Sequence, residues 1–220
     1  MSRHLLIATA ALGIICSATS CNRPADNSSD AAMADKSAAD AALTAELDNL
    51  RKANERFNDV KVALAEGYIA DPHGVCITAD MVGEPASNGA MGIHYFRPDL
   101  LGIVPAPGRV SGTGMYVDFD KPAILMYEPQ ADGSLKLAGI ENLVWTAAWE
   151  KAGKTAPPTY HGQDYFQMTD DPNTTIDEAH GFESHFDLHV WLYRENPSGV
   201  FGQFNPGVSC EHAPKPPVKS

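Results

Sequence analysis

From Ala41 onward, apolar residues recur at helical spacing: Leu43, Leu47, Leu50, Phe57, Val60 and Leu64. Glu, Lys and Arg fill the opposite side, and Gly67 supplies a stop. This pattern predicts a helix of about six turns with one apolar stripe, and such a stripe needs a surface to cover it. After Pro72 the period changes to short runs of β-branched, aromatic and aliphatic residues separated by Gly, Pro, Asn and Asp, which reads as strands. The clearest predicted hairpin joins Ala123–Glu128 to Ser134–Trp145 across Pro129-Gln-Ala-Asp-Gly133, where Asp132-Gly133 has turn chemistry. Further strands are expected at Met91–Phe96, Met115–Phe119, Asp164–Met168 and Phe186–Tyr193. Strands do not alternate regularly with helices and no long repeat is visible. The fold class expected for residues 41–212 is therefore a single α+β domain, an N-terminal amphipathic helix packed on a curved, mainly antiparallel β-sheet. Residues 213–220, rich in Pro and Lys, are expected to form a disordered tail.

The first forty residues follow neither pattern. Arg3 and His4 precede the apolar run Leu5–Ile15, small residues follow, and then comes Cys21. That is the layout of a bacterial export signal over residues 1–20, with an apolar core shorter than the roughly 20 residues a bilayer span needs. Cys21 stands where a lipoprotein signal peptidase would attach an acyl anchor. Cleavage by ordinary signal peptidase at the same bond would instead release a soluble exported form. The expected location is the bacterial cell envelope, with the membrane as partner through lipidated Cys21, or the secreted fraction. Residues 21–40 are small, polar and acidic, and are read as a flexible tether.

The whole chain carries a formal charge of −12, and removal of residues 1–20 takes away Arg3 alone, leaving 15 minus 28, or −13. A surface of this sign repels nucleic acid and anionic lipid head groups. Two of the four cysteines, Cys16 and Cys21, belong to the signal region. The remaining pair, Cys76 and Cys210, is expected to form a structural disulfide in an oxidising compartment. No CxxC spacing favours a catalytic or metal-binding dithiol.

The chemistry is concentrated between His180 and Tyr193, where three histidines and two acids fall within a short stretch. On a helix, His185 and His189 would lie one turn apart, but the HExxH pattern of zinc proteases is absent. Phe186, Leu188, Val190 and Leu192 alternate with His185, Asp187, His189 and Trp191, which favours a strand with one apolar and one polar face. Along a strand the two histidines stand about 13 Å apart, too far to share one ion directly, whereas Asp187 and one flanking histidine, about 7 Å apart, can converge with help from neighbouring strands. His94, Glu128 and Glu141, each a polar group inside an apolar strand, are the candidates for that help. The ligand- or metal-binding candidates are thus His94, Glu128, Glu141, His185, Asp187 and His189, and a divalent transition metal such as Zn, Fe, Mn or Cu suits such a set. A structural hydrogen-bond network or a metal-free ligand cavity uses the same residue types. Trp145, Trp191 and Tyr95 are candidates for its floor. Gly112-Thr-Gly114 lacks the strand-to-helix context of phosphate binding, no GxSxG motif is present, and the acids Asp170, Asp171, Asp177 and Glu178 lack EF-hand spacing and read as a solvated loop.

Gly92-Ile-His-Tyr95, Leu125-Met-Tyr-Glu-Pro129, His185-Phe-Asp-Leu-His-Val-Trp191, Asn196-Pro-Ser-Gly-Val-Phe201 and Asn205-Pro-Gly-Val-Ser-Cys210 together resemble an uncharacterised family of exported bacterial (lipo)proteins over roughly residues 50–210. The resemblance implies export and a shared domain and transfers no catalytic residues. The preferred functional reading is an envelope-anchored module that binds a metal or small ligand on its His/Asp sheet face. A metal-dependent hydrolase or lyase, and a structural or partner-binding lipoprotein, are the alternatives.

Overall fold

The computed structural model describes residues 27–104 and 108–214; the predicted signal peptide, Cys21 and residues 215–220 lie outside the described residues. The chain divides into two compact units, residues 1–40 and 41–220. In the first, the described backbone is helical from Asn27, and the side chains of residues 33–40 are exposed. Residues 27–40, expected as part of a tether, thus carry helical backbone. Their small residues are mostly Ala, the strongest helix former, a distinction that a reading by size and polarity loses.

The helix α1 (Asn27–Asn54) does not continue to Gly67 as the periodicity predicts. Asn54 is buried, and its amide donates to the Leu50 carbonyl at 3.0 Å and the Phe119 carbonyl at 3.4 Å. The chain then tightens into a 3-10 turn at Glu55–Asn58, and Asp59 caps a separate short helix α2 (Val60–Ala65) by accepting from the Lys61 amide. Local hydrogen bonding by Asn54 and Asp59 thus divides one apolar stripe among three segments. The stripe itself survives the break. Leu50, Phe57, Ala63 and Tyr68 pack with Leu125, Tyr127, Leu137, Ile140, Val144, Phe186, Leu188 and Val190 of the sheet in one cluster.

Seven strands build that sheet. In chain order they are β1 (Ile69–Ala70), β2 (Cys76–Thr78), β3 (Ala90–Phe96), then, after the helix α3 (Pro98–Leu101) and the small pair β4 (Ile103–Val104) and β5 (Ser111–Gly112), β6 (Ile124–Pro129) and β7 (Leu135–Trp145). The helix α4 (Thr146–Lys151) and a second small pair, β8 (Thr159–Tyr160) and β9 (Gln163–Asp164), lead to β10 (Phe166–Met168) and β11 (His185–Val190). The sheet order is β1-β3-β6-β7-β11-β10, with β2 also on β3, and every pairing is antiparallel. The α+β class and the mainly antiparallel sheet are those expected from sequence.

Three predicted strands need correction. Met115–Phe119 has no ladder: Met115 and Val117 face solvent, and a Cβ on Gly112 or Gly114 would collide with the Leu101 carbonyl, so this segment is pinned as a loop beside α3. The run Asp164–Met168 is split at Tyr165, whose amide bonds to Pro158 while its neighbours join different sheets. The last predicted strand ends at Val190 rather than Tyr193, because the Trp191 amide turns to the Val200 carbonyl. The predicted hairpin β6–β7 is present, with Gln130 and Ser134 closing its turn.

The sheet face away from the helix is covered by loops. Phe96, Leu101, Ile124, Leu143, Trp145 and Phe182 form one apolar cluster there, and Ala90, Met126, Trp191 and Val208 another. The disulfide Cys76–Cys210, with Cα atoms 5.6 Å apart and a sequence separation of 134, ties the C-terminal segment to β2. Both faces being covered explains why β6 and β11 are buried at every position.

Candidate metal centre

Alternation along β11 places Phe186, Leu188 and Val190 against the helix and turns His185, Asp187 and His189 to the loop-covered face. Register then supplies partners. His189 lies opposite Glu141 on β7, Asp187 opposite Leu143 and His185 opposite Trp145. His94 comes from β3, on the far side of β6, where it pairs with Met126. His94 Nε2 approaches Glu141 Oε2 to 3.2 Å, and His189 Nε2 approaches the same oxygen to 3.4 Å. One ligand atom from each of these three residues lies within 4.8 Å of the others, so the group could hold a metal ion.

The surroundings are buried. Side-chain exposure is 4% or less for His94, Glu141, His185, Asp187 and His189. Within this closed space His94 Nδ1 and Nε2, Glu141 Oε2, Asp187 Oδ1 and Oδ2, His185 Nε2 and His189 Nε2 have no hydrogen-bond partner. Buried polar atoms are ordinarily satisfied, each failure costing about 1–3 kcal/mol, so this concentration calls for a physical reason. Ligands of a single ion at about 2.1 Å stand at most about 4.2 Å apart. The approaches of His94 and His189 to Glu141 Oε2, 3.2 and 3.4 Å, satisfy that bound, while their orientations do not satisfy hydrogen bonds.

The outer ring nitrogens point the same way. His189 Nδ1 lies 2.6 Å from the Gln203 carbonyl and His185 Nδ1 lies 2.8 Å from the Glu183 carbonyl. A carbonyl only accepts, so each Nδ1 carries the hydrogen, and in the neutral ring the lone pair is left on Nε2, facing inward. This is how metal-ligating histidines are characteristically oriented. Electrostatics sort the groups further. Burial opposes a charge on Glu141, but His189 and His94 outweigh it and hold the carboxylate well below its ordinary range. Burial likewise opposes protonation of His189, and the Glu141 carboxylate outweighs it, raising that imidazole to about 9, so in the absence of an ion Nε2 holds a proton toward Glu141 that a metal would displace. Asp187 is pushed up, chiefly by burial. Burial depresses His185 to about 4, keeping it neutral with its lone pair free.

Five of the six sequence candidates therefore meet. Glu128 does not. It is buried elsewhere, accepting from Arg194 at 2.9 Å and from the Ser209 amide at 3.1 Å, and it serves as the acid of an ion pair that fastens the C-terminal segment to β6. Trp145 and Trp191 do flank the cluster, with ring centroids 6.1 Å from His185 and 5.8 Å from His189, whereas Tyr95 packs on the helix face. Sequence reasoning left out His180. Its ring lies 6.0 Å from that of His94 and 5.8 Å from that of His185, and its Nδ1 is buried without a partner. The available signal was the third histidine before β11, followed by a glycine. His180 has φ 42° and Gly181 φ 89°, a tight turn that swings the imidazole back over the sheet. Arg109 anchors that turn through ion pairs with Asp170 and Asp177 and a bond to the Phe182 carbonyl, so two of the acidic-loop residues serve as its counter-charges.

Comparison with protein families, curated proteins and solved structures finds no match to this chain.

Proposed function

We propose that this chain is an exported metal-binding protein of the bacterial envelope, holding a divalent transition metal through His94 Nε2, Glu141 and His189 Nε2. The observation that carries the reading is the set of converging, fully buried and unpartnered ligand atoms in which His189 is already oriented by a backbone carbonyl. Two imidazoles and one carboxylate suit Zn and Fe(II) in particular. The side chains are almost inaccessible, which favours retention of an ion over turnover of a substrate, since catalysis needs an open coordination position. The export signal and Cys21 supply the address, and an acyl chain there would keep the protein at a membrane surface despite its acidic charge.

Metal analysis of the untagged protein recovered from the periplasm tests the reading, beside a His94→Ala/His189→Ala variant. Stoichiometric metal in the native protein and none in a folded variant is the expected result. A native protein that arrives without metal and takes up no added Zn, Fe, Mn or Cu overturns it and leaves a structural polar network.

A further inference from the structure

His94, Glu141 and His189 are shut in, so an ion needs a way through the cover. A cavity of 230 Å³ indents that cover, with Glu84 and Glu178 on its walls and Met168 and Gln203 lining it as well. Met168 stands opposite His185 in the β10–β11 ladder, which sets their Cβ atoms about 5 Å apart on one face. The Gln203 carbonyl holds His189 Nδ1. Both residues thus adjoin the cavity on one side and a buried histidine on the other, and a single side-chain hydrogen bond joins them, from Gln203 Nε2 to Met168 Sδ at 2.7 Å. Behind Met168, unpartnered ligand atoms continue inward. His185 Nε2 lies 3.8 Å from Asp187 Oδ2, and Asp187 Oδ2 lies 4.0 Å from His189 Nε2, a member of the triad. Both steps are too long for hydrogen bonds, and both fall inside the limit of about 4.2 Å for two ligands of one ion. The same oxygen makes both approaches, so Asp187 can hold one ion on either side in turn without completing a second site.

We infer that a divalent cation enters and leaves the centre through this cavity, with the Gln203–Met168 contact as the bolt and His185 and Asp187 as the ligands that pass the ion to His189. The inference rests on the metal-binding reading above and adds the route to it. Three observations carry it. His185 and Asp187 belong to no converging set of three ligands, yet both are buried with inward atoms unpartnered; a transient place on an ion's path accounts for that where a resident ion does not. His185 is ready for that role, since the Glu183 carbonyl fixes its Nδ1 and leaves Nε2 facing inward. The bolt is also independent of the centre it guards: the Gln203 side chain can swing aside while the backbone carbonyl stays on His189. Glu84 and Glu178 give the cavity a negative potential that draws cations toward it.

The test uses the full mature chain, stripped with chelator, and follows the visible absorption of Co(II) during stopped-flow uptake and then during its release to excess chelator. Met168→Leu keeps the volume and removes the sulfur acceptor, and is expected to speed both uptake and release by about two- to tenfold, the size of one neutral hydrogen bond. His185→Phe removes the first inward ligand and is expected to slow both. Native rates in a folded Met168→Leu variant that still takes up Co(II) refute the route while the first site stands. Unchanged or faster exchange in a folded His185→Phe variant refutes the transfer through His185. If the native protein takes up no Co(II), the metal-binding reading falls and the route with it. Should His185→Phe not fold by circular dichroism, Met168→Leu decides alone.

Discussion

Replacing His94, Glu141 and His189 together with apolar residues should make the metal-free protein more stable, whereas removing one of them should make it much less so. The triad contains four buried atoms without a hydrogen-bond partner, both nitrogens of His94, Glu141 Oε2 and His189 Nε2, although Glu141 Oε2 stands within ion-pair distance of both Nε2 atoms. Each orphaned group costs about 1–3 kcal/mol, and imperfect packing of three new side chains gives back about 1–3 kcal/mol. The variant His94→Leu/Glu141→Met/His189→Leu should therefore gain stability on balance, by about the 1–4 kcal/mol found when buried ionic clusters are exchanged for hydrophobic ones. His189→Ala alone leaves the Glu141 charge without its main partner and should lose about 3–5 kcal/mol. Urea unfolding in excess chelator reads both, because a denaturant slope of about 2 kcal/mol/M turns these changes into midpoint shifts on the order of 1–2 M in opposite directions. With saturating metal the order should invert, since only the native protein gains binding energy, about 4 kcal/mol at a thousandfold excess over Kd. A triple variant less stable than the native protein in chelator would refute the reasoning. It would mean that these side chains already satisfy one another as a structural network.

Three further outcomes follow from the geometry. Reducing Cys76–Cys210 releases a loop of 134 residues, worth about 5 kcal/mol of chain entropy; the urea midpoint should fall on adding reductant, and a Cys76→Ala/Cys210→Ala variant should not respond. Glu128→Ala should cost about 1–3 kcal/mol by removing the acceptor of the Ser209 amide and of the part-exposed Arg194 guanidinium, yet leave metal stoichiometry unchanged, which separates it from the cluster residues; loss of metal in a folded variant would contradict that placement. Gly92→Ala forces a Cβ to 2.6 Å from the Tyr127 carbonyl at φ 100°, so thermal unfolding should report a loss of about 1–3 kcal/mol, and β3, which carries His94, should retain metal less well.

Much of the fold was legible because its signals are local. The alternation Phe186, Leu188, Val190 against His185, Asp187, His189 announced β11 and both of its faces, and Asp132-Gly133 announced the hairpin of β6 and β7. What escaped depended on partners distant in the chain. Glu128 and Glu141 look alike in sequence, each an acid within an apolar strand; only the placement of Arg194 and Ser209 beside one and His189 beside the other separates them. Met115 and Val117 have strand propensity but no neighbouring strand to pair with, and Gly112 and Gly114, by letting the backbone sit against Leu101, fix the loop instead. His180 was invisible as a site residue because its contribution comes from a backbone turn, and no side-chain pattern encodes that.

The centre is assembled from residues spread between His94 and Gln203, the latter through its carbonyl. An unfolded chain contains none of it, and folding would have to be almost complete before an ion could find these ligands. Once closed, the face has no solvent path wide enough to expose those side chains above a few per cent, so ligand exchange would require the covering loops to open. The identity of a trapped ion would then be a record of which metals were abundant at the moment and place of folding, and the usual ranking of equilibrium affinities, which favours copper over its neighbours, would not decide it.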